Sequence, residues 1–362
     1  MVSSFIRPAC KRVPQVLFVG GVFFLLILTG CASPTTEPTV TQQAAVTEVP
    51  TSALTSTTAR QTEDTPEPTT QEGALTLEHT RGELTLPEPT TRVVALEWTY
   101  IEDLLAVGVQ PVGAADIDGY QKWVNIEPAL SSDVTDVGTR QEPSLEAITA
   151  LEPDLIIGVK FRHEPIYDDL SEIAPTLLFS PYPPDDGPNQ YQEMRETFLT
   201  ISEAVGKQEE GREVLTDMEA TFDQARSQLA GSGYEGSDFA LAQAFTSQET
   251  PTIRLFSQNA MASIVLEQLG LNNAWDVVYE TYGFSTVDVE ALAEVEEANF
   301  FYVVQENDNV FEEQLADNPV WQNLDFVKND RTHALGGNTW LFGGPLSNEL
   351  VAEKIVELLT GE

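Results

Sequence analysis

The sequence predicts an α/β protein of two lobes joined by one long helix. Short runs of Val, Ile and Leu alternate with helical stretches on both sides of the middle of the chain, a pattern typical of mostly parallel sheets. Between them, residues 208–229 contain no proline and only one glycine, Gly211, which predicts a stiff helix of about 33 Å. The segments Ser144–Ile148 and Asp288–Leu292 are similar, and each precedes an apolar run, which supports two related lobes.

The first residues have the features of a targeting segment. Arg7, Lys11 and Arg12 precede an apolar run that ends in Leu28-Thr-Gly-Cys31, and this tetrapeptide resembles a bacterial lipobox, in which the cysteine is lipidated. The alternatives are an ordinary secretory signal or an uncleaved anchor, with Cys31 incidental. We therefore predict a signal peptide at 1–30 and lipidation at Cys31.

The remaining boundaries follow from composition and periodicity. Residues 31–74 are rich in Thr, Pro and Glu and cannot bury enough apolar area to fold, so we expect a disordered tether. The first α/β lobe is predicted at 75–207, the connecting helix at 208–230 and the second α/β lobe at 231–362.

The elements of the first lobe can be placed in order. Apolar runs predict strands at Val93–Leu96, Pro111–Ala114, Leu155–Val159 and Thr176–Phe179. Thr99 is expected to cap a helix that runs to Val107 and ends at Gly108.

The second half of the chain repeats the alternation of strands and helices. A helix at Tyr191–Ala204 precedes the long helix. Beyond it we predict strands at Phe239–Ala244, Ile253–Phe256 and Phe300–Val304, and helices at Met261–Leu269 and Leu346–Leu359.

The charge balance excludes several classes of partner. The chain has 18 Lys+Arg against 58 Asp+Glu, a formal charge of -40, which argues against nucleic acid and anionic membrane surfaces. The acidic residues are interpreted as a solvated coat that favours solubility or tolerance of salt. Both cysteines, Cys10 and Cys31, lie in or beside the targeting segment, so the lobes contain no disulfide.

Motifs of the common enzyme classes are missing from the sequence. There is no Gly-x-Ser-x-Gly elbow, no phosphate-binding glycine loop and no HExxH helix, and the histidines, His79, His163 and His333, are dispersed. We therefore expect no enzymatic activity, no cofactor and no metal coordinated by protein side chains.

Aromatic and arginine side chains stand instead at positions where predicted strands end. They are Trp98, Trp123, Arg140, Arg162, Phe245, Tyr282, Trp340 and Phe342. Aromatic walls with fixed guanidinium groups suit a bulky, partly anionic organic ligand. Alternatively, Trp98, Trp123 and Phe245 close the core, and Arg140 pairs with Glu142 or Asp136 at the surface.

Four stretches together resemble the ferric-siderophore substrate-binding proteins of bacterial ABC importers, especially the ferric-hydroxamate branch. They are Arg92–Trp98, Asp136–Pro143, Leu269–Trp275 and Trp340–Ser347, and the similarity runs from about Leu84 to Leu359. The resemblance implies two Rossmann-like α/β lobes joined by one long rigid helix, the helical-backbone type of periplasmic binding protein. The ligand would lie in a shallow cleft between the lobes.

The resemblance also implies roles for individual residues. Arg140 would bind the iron-ligating oxygens of the siderophore, and an aromatic wall would be formed by Trp98, Trp123, Tyr282, Trp340 and Phe342. The inner shell of the iron would be wholly siderophore. Glu146 and Glu290, which alone would be interpreted as solvated helix residues, would dock on arginines of the ABC permease.

Some positions depart from the pattern of the hydroxamate branch. Arg254 replaces an apolar residue, Tyr282 stands in place of a tryptophan, and Phe161–His163 fill a loop that contributes a tyrosine in the prototype. The additional arginines favour a siderophore that carries carboxylates, such as a citrate-based hydroxamate, over neutral ferrichrome.

The predicted function is capture of a ferric siderophore by a monomeric, lipid-anchored extracytoplasmic protein that delivers it to an ABC permease. A receptor of the same fold for heme or a corrinoid is one alternative. A cell-surface metal-dependent enzyme that uses carboxylates is a more distant one.

Overall fold

The computed structural model describes residues 74–361 of the chain. The predicted signal peptide at 1–30, Cys31 and all of the tether except its last residue lie outside this range. Within it, no helix combines the length and the apolar character that crossing a membrane requires.

The described chain opens with an antiparallel hairpin of β1 (Leu75–His79) and β2 (Gly82–Leu86). A parallel sheet follows, in the order β5-β4-β3-β6-β7. Its strands are β3 (Val93–Ala95), β4 (Gly113–Ala114), β5 (Thr135–Asp136), β6 (Leu155–Val159) and β7 (Thr176–Phe179). We call this sheet and its helices the first lobe.

The helices of the first lobe lie between these strands. They are α1 (Trp98–Ala106), α2 (Ile117–Trp123), α3 (Leu145–Ala150), α4 (Lys160–His163) and α5 (Tyr167–Ile173), with a 3-10 turn at Glu164–Ile166. Glu97, in extended conformation, caps α1 by accepting a hydrogen bond from the backbone N–H of Trp98 at 3.1 Å. The predicted cap at Thr99 is wrong, because Thr99 is already inside the helix and its hydroxyl donates to the carbonyl of Phe342 at 2.8 Å.

Two consecutive helices lead out of the first sheet. They are α6 (Gln190–Ala204), which begins with a capping box between Asn189 and Gln192, and α7 (Gln208–Gly231), the predicted long helix. At 24 residues, α7 is about 36 Å long.

A mixed sheet forms the second lobe, in the order β11-β9-β8-β12-β13 with β10 beside β8. The strands are β8 (Asp238–Ser247), β9 (Thr250–Phe256), β10 (Asn272–Asn273), β11 (Phe284–Val287), β12 (Asn299–Val303) and β13 (Thr332–Ala334). The helices are α8 (Met261–Gln268), α9 (Pro319–Asn323), α10 (Asp325–Lys328) and α11 (Pro345–Thr360), with 3-10 segments at Val289–Val295 and Glu306–Asp308.

The sheet of the second lobe is less parallel than the alternation predicted. β9 pairs antiparallel with both β8 and β11. The link between β8 and β9 is a two-residue turn in which Gln248 and Glu249 have φ of 49° and 65°. So short a connection joins only antiparallel strands, and it lacks the Asn-Gly signal by which such turns are recognised in a sequence.

The largest core cluster lies between the two sheets and is shared by both lobes. Along β3, Val93 and Ala95 face this cluster, whereas Val94 faces a smaller one on the other side of the sheet. The same alternation places Phe239 and Leu241 of β8 in the shared cluster. Strands covered on both faces explain why the sequence shows continuous apolar runs.

The start of α11 lies directly against α1, and two glycines permit the contact. A Cβ atom on Gly343 would lie 2.7 Å from a carboxylate oxygen of Glu102, and one on Gly344 would lie 2.4 Å from a carboxylate oxygen of Asp103, both on α1. The Gly-Gly pair of the Trp340–Ser347 stretch therefore allows the two helices to meet.

Candidate ligand-binding site

A cavity of about 360 Å³ lies between the lobes, within the size range of small-molecule sites. The first lobe and the segment after it contribute Glu97, Thr99, Arg140, Phe161, Arg162, Pro181, Tyr182 and Gln190. The second lobe contributes Arg254, Met261, Tyr282, Phe284, Trp340 and Phe342. Three arginines and one glutamate give this lining a formal charge of +2 in a chain whose total is -40.

The charged residues that the first lobe contributes to the cavity lining all follow the carboxyl ends of strands. Glu97 comes after β3, Arg140 after β5 and Arg162 after β6. The strand order reverses between β3 and β6, so that the crevice beyond their carboxyl ends is a topological switch point, where open α/β sheets bind ligands.

Arg140 is held on three sides. Its Nη1 donates to Oε1 of Glu97 at 2.7 Å, its Nε lies 3.4 Å from Oδ2 of Asp116, and its guanidinium carbon lies 3.4 Å from the centroid of the Trp98 ring. With 14% of the side chain exposed, the guanidinium is fixed at the cavity wall and still reachable.

Arg162 shares the same counter-ion. Its Nη1 donates to Oε2 of Glu97, and its guanidinium lies 4.4 Å from the ring centroid of Phe161. One buried carboxylate thus bridges two guanidinium groups that come from different strand ends.

The side chain of His163 connects the segments that follow β5 and end β6 by hydrogen bonds to their backbone atoms. Its Nδ1 accepts from the N–H of Val159 at 2.9 Å, which leaves Nε2 to donate to the carbonyl of Arg140 at 2.9 Å. The ring is fully buried, and burial lowers the pKa of His163, so the neutral imidazole that this pattern requires is favoured.

Arg254 brings a third guanidinium from β9. It donates to Oε1 of Gln243 at 3.0 Å and lies 4.5 Å from the ring centroid of Phe284 and 4.9 Å from that of Phe245. Burial lowers the pKa of Arg254, but a guanidinium remains protonated in proteins. Its partners here are neutral, so its charge is available to an anionic ligand.

Aromatic rings from both lobes form a continuous wall. Tyr282 lies 5.2 Å from Tyr182 and 6.3 Å from Phe284, measured between ring centroids. Phe342 lies 6.1 Å from Phe284 and 5.2 Å from Trp340. Such a wall beside three arginines suits an organic ligand that has both apolar arms and negatively charged atoms.

Besides Nε of Arg140, which only pairs electrostatically with Asp116, two buried donors at the cavity lack a hydrogen-bond partner among the described residues. They are Nε2 of Gln190 and Nε1 of Trp340. Since buried donors are normally paired, both favour a ligand that is rich in acceptor oxygens.

Comparison with known families matches residues 93–339, more than half of the chain, to the family described as periplasmic binding protein. The chain belongs to this family. A relative, the Fe(3+) dicitrate-binding periplasmic protein FecB of Escherichia coli (strain K12), is 31% identical over 288 residues, which cover 79% of this chain and 90% of FecB. The Fe(3+)-citrate-binding protein YfmC of Bacillus subtilis (strain 168) is 29% identical over 277 residues, which cover 76% of this chain and 83% of YfmC.

A solved structure supports the same family assignment. The crystal structure of the siderophore-binding protein FhuD from Vibrio cholerae, bound to Fe3+-Desferal, matches with a TM-score of 0.67 and 30% identity. The match covers 75% of this chain and 98% of FhuD. The predicted α/β fold and the predicted family are therefore confirmed.

In this periplasmic binding protein, six of the predicted ligand-binding residues line one cavity. They are Arg140, Arg162, Arg254, Tyr282, Trp340 and Phe342.

The other three predicted ligand-binding residues, Trp98, Trp123 and Phe245, do not line the cavity. Trp98 is 3% exposed because it lies beneath Arg140 and donates from its ring to the carbonyl of Asp116 at 3.1 Å. Trp123 ends α2 and packs against the shared core, and Phe245 lies beside Arg254. The alternative prediction, that Arg140 pairs with Glu142 or Asp136, is wrong, because its ion-pair partners among the described residues are Glu97 and Asp116.

Sequence reasoning missed Glu97, Tyr182 and His163. Glu97 directly follows the first predicted strand, the same signal that selected Arg140, but acidic residues are so frequent in this chain that it did not stand out. Tyr182 lies in a Pro-rich loop whose path the sequence does not specify.

Glu146 and Glu290 occupy equivalent places in the two lobes. Each is the second residue of its helical segment, α3 and the 3-10 segment Val289–Val295, and each is exposed. Each segment leads into a strand of its sheet, β6 and β12 respectively.

Among residues 74–361, no group of His, Cys, Asp or Glu side chains is arranged to hold a metal ion. A wider depression of about 650 Å³ lies beside the Pro-rich loop, but its lining includes Glu78, Glu193 and Glu196 and neither Arg nor Lys. That surface is unsuited to an anionic ligand.

Proposed function

We propose that this protein captures a ferric siderophore of the hydroxamate or citrate-hydroxamate type and delivers it to an ABC permease for iron uptake. The observation that carries the proposal is the convergence of Arg140, Arg162 and Arg254 on one aromatic-walled cavity at the switch point. The names of FecB, YfmC and FhuD from Vibrio cholerae, which refer to ferric citrate or siderophore binding, support it.

The chemistry of the cavity suits a chelate better than a bare ion. The oxygens that surround ferric iron in a siderophore carry negative charge, and each hydrogen bond from a guanidinium to such an oxygen contributes about 1.5–3 kcal/mol. The iron stays wholly ligated by the siderophore, so the protein needs neither a metal ligand nor a cofactor. Its work is binding, without covalent chemistry.

The number of arginines favours an anionic ligand. Glu97 offsets one of the three guanidinium charges, and Arg254 has only neutral partners. A ferric complex with free carboxylates satisfies the remaining charge better than neutral ferrichrome does. The ferric citrate complexes named for FecB and YfmC belong to this class.

Delivery requires a surface away from the cavity. The exposed Glu146 and Glu290, one on each lobe, are proposed to pair with arginines of the permease. Lipidation of Cys31 would hold the protein at the membrane. We propose that the protein acts there as an extracytoplasmic monomer.

Fluorescence titration tests the proposed function. Trp340 lines the cavity and Trp98 lies beneath Arg140, so a ferric chelate in the cavity should quench tryptophan emission. The panel comprises an anionic ferric citrate-hydroxamate, ferrichrome, ferrioxamine B, heme and a corrinoid. We expect saturable quenching by ferric siderophores, with the anionic complex binding most tightly. Tighter binding of heme or the corrinoid would assign the cavity to the alternative ligand class.

A further inference from the structure

The carboxylate of Glu97 is a built part of the cavity wall. The residue is 6% exposed, and its two oxygens accept hydrogen bonds from three donors. Oε1 accepts from Nη1 of Arg140 at 2.7 Å and from the N–H of Trp98 at 3.1 Å, and Oε2 accepts from Nη1 of Arg162.

This environment fixes Glu97 in place. As the residue that caps α1, it has an extended backbone tied to the end of β3 and a side chain tied to the start of the helix. A ligand that displaced the carboxylate would leave a buried charge without its partners, which is strongly unfavourable. Glu97 therefore remains between the two guanidinium groups when a ligand binds.

The position of Glu97 has two consequences for the ligand. It orients Arg140 and Arg162, because each uses one donor on the carboxylate and presents its others elsewhere. It also adds one negative charge to a lining that carries three positive charges. Asp116 contacts Arg140 at 3.4 Å but does not line the cavity, so Glu97 is the acidic group that a bound chelate meets.

We infer that Glu97 is a specificity-determining residue whose fixed charge sets the net charge of the ferric chelate that the cavity prefers. The inference rests on the proposed function and adds to it a residue that discriminates between ligands by their charge. A residue that only capped α1 would affect all ligands alike. Removing a residue that discriminates by charge changes the affinities for anionic and cationic chelates in opposite directions.

The test compares ligands of one chemical type and different charge. The probes are ferric aerobactin, an anionic citrate-hydroxamate, ferrichrome, which is neutral, and ferrioxamine B, which is cationic. Dissociation constants are measured for the wild type and Glu97→Gln by tryptophan quenching. The readout is the ratio of the ferrioxamine B constant to the ferric aerobactin constant.

We expect Glu97→Gln to raise this ratio about tenfold, the effect of one charge at short range in a partly shielded site. Ferrichrome should change least. The conservative variant Glu97→Asp keeps the charge, so its ratio should stay near the wild-type value even if all three ligands bind more weakly. Should Glu97→Gln not fold, Glu97→Ser retains a helix-capping oxygen without the charge and should raise the ratio in the same way.

Glu142→Gln is the matched control, because Glu142 is exposed in the same turn as Arg140 and its loss changes net charge equally. Its ratio should remain within about twofold of wild type. Equal weakening of all three ligands in Glu97→Gln, or an equal change of ratio in Glu142→Gln, would overturn the inference and leave the proposed function standing. Failure of the wild type to bind any ferric chelate would overturn both.

Discussion

The guanidinium carbon of Arg140 lies 3.4 Å from the centroid of the Trp98 ring. The tryptophan is buried and the arginine is partly exposed, so the ring acts as a platform that fixes the guanidinium at the cavity wall. Trp98 therefore supports Arg140 from below and does not itself line the cavity.

Replacing Arg140 should weaken ligand binding. Arg140→Ala removes at least one charge-assisted hydrogen bond, and we expect the dissociation constant for a ferric siderophore to rise tenfold or more, which corresponds to about 1.4 kcal/mol. Arg140→Lys should recover only part of the loss, because an ammonium neither stacks on Trp98 nor forms a planar fork. Arg212→Ala, at an arginine of α7 whose side chain is 61% exposed, is the control and should bind normally. Normal binding of the ferric siderophore by Arg140→Ala would show that Arg140 is not part of the binding site.

Docking and binding should be separable by mutation. The double variant Glu146→Ala with Glu290→Ala should bind ferric siderophore like the wild type, since both residues are exposed and neither lines the cavity. Uptake of radioactive iron by cells that depend on this protein should be lost. The control is Glu142→Ala with Glu294→Ala, two exposed glutamates close to the first pair, and it should transport iron normally. Normal uptake by the first double variant would refute the docking role.

The contact between Glu102 and Ser347 should stabilise the fold. The carboxylate of Glu102, fully buried on α1, accepts from the backbone N–H of Ser347 at 2.7 Å and from its hydroxyl at 2.6 Å, at the start of α11. Glu102→Ala leaves both donors unpaired and opens a cavity, so the free energy of unfolding should fall by about 2–4 kcal/mol. Ser347→Ala removes only the hydroxyl and should cost about 1 kcal/mol. Urea denaturation measures both, and equal stability of Glu102→Ala and wild type would contradict the prediction.

The partly buried Glu193 should make stability depend on pH. Burial raises its pKa from 4.5 to about 7, although the hydroxyl of Thr197 donates to it at 2.7 Å. Between these values the folded protein retains a proton that the unfolded chain has lost, so stability falls as pH rises through this window and levels off above about 7.

Glu193→Gln should reduce this dependence. At pH near 8 the variant should be more stable than the wild type by on the order of 1–2 kcal/mol, and near pH 4 the two should be similar. Glu349, whose pKa burial also raises to about 7, should preserve part of the slope. Exposed Glu213→Gln is the control. Urea denaturation across this pH range would contradict the account if the slopes of Glu193→Gln and wild type were identical.

The sequence predicted those features of the fold that depend on local patterns. Strands covered on both faces read as apolar runs, so β6 and β7 were predicted with the bounds observed. The antiparallel β9 was not foreseen, because its turn at Gln248 and Glu249 adopts left-handed backbone angles without glycine or asparagine.

The sequence predicts those site residues that directly follow predicted strands. The positions of Arg140 and Arg162 after apolar runs predict their place in the site, whereas the role of Trp98 depends on the distance between the start of α1 and the turn after β5, which no local pattern encodes. Glu97 stands beside Trp98 in the sequence, yet its pairing with both arginines follows from the order of β3, β5 and β6 in the sheet.

The location of iron in the bound complex tests the central claim most directly. A crystal of the protein with the tightest-binding ferric siderophore would be measured at the iron absorption edge. We predict one anomalous peak inside the cavity, with chelate oxygens about 3 Å from the guanidinium of Arg140 and with no protein atom bonded to the iron. A peak outside the cavity, or iron ligated by a protein side chain, would contradict the account.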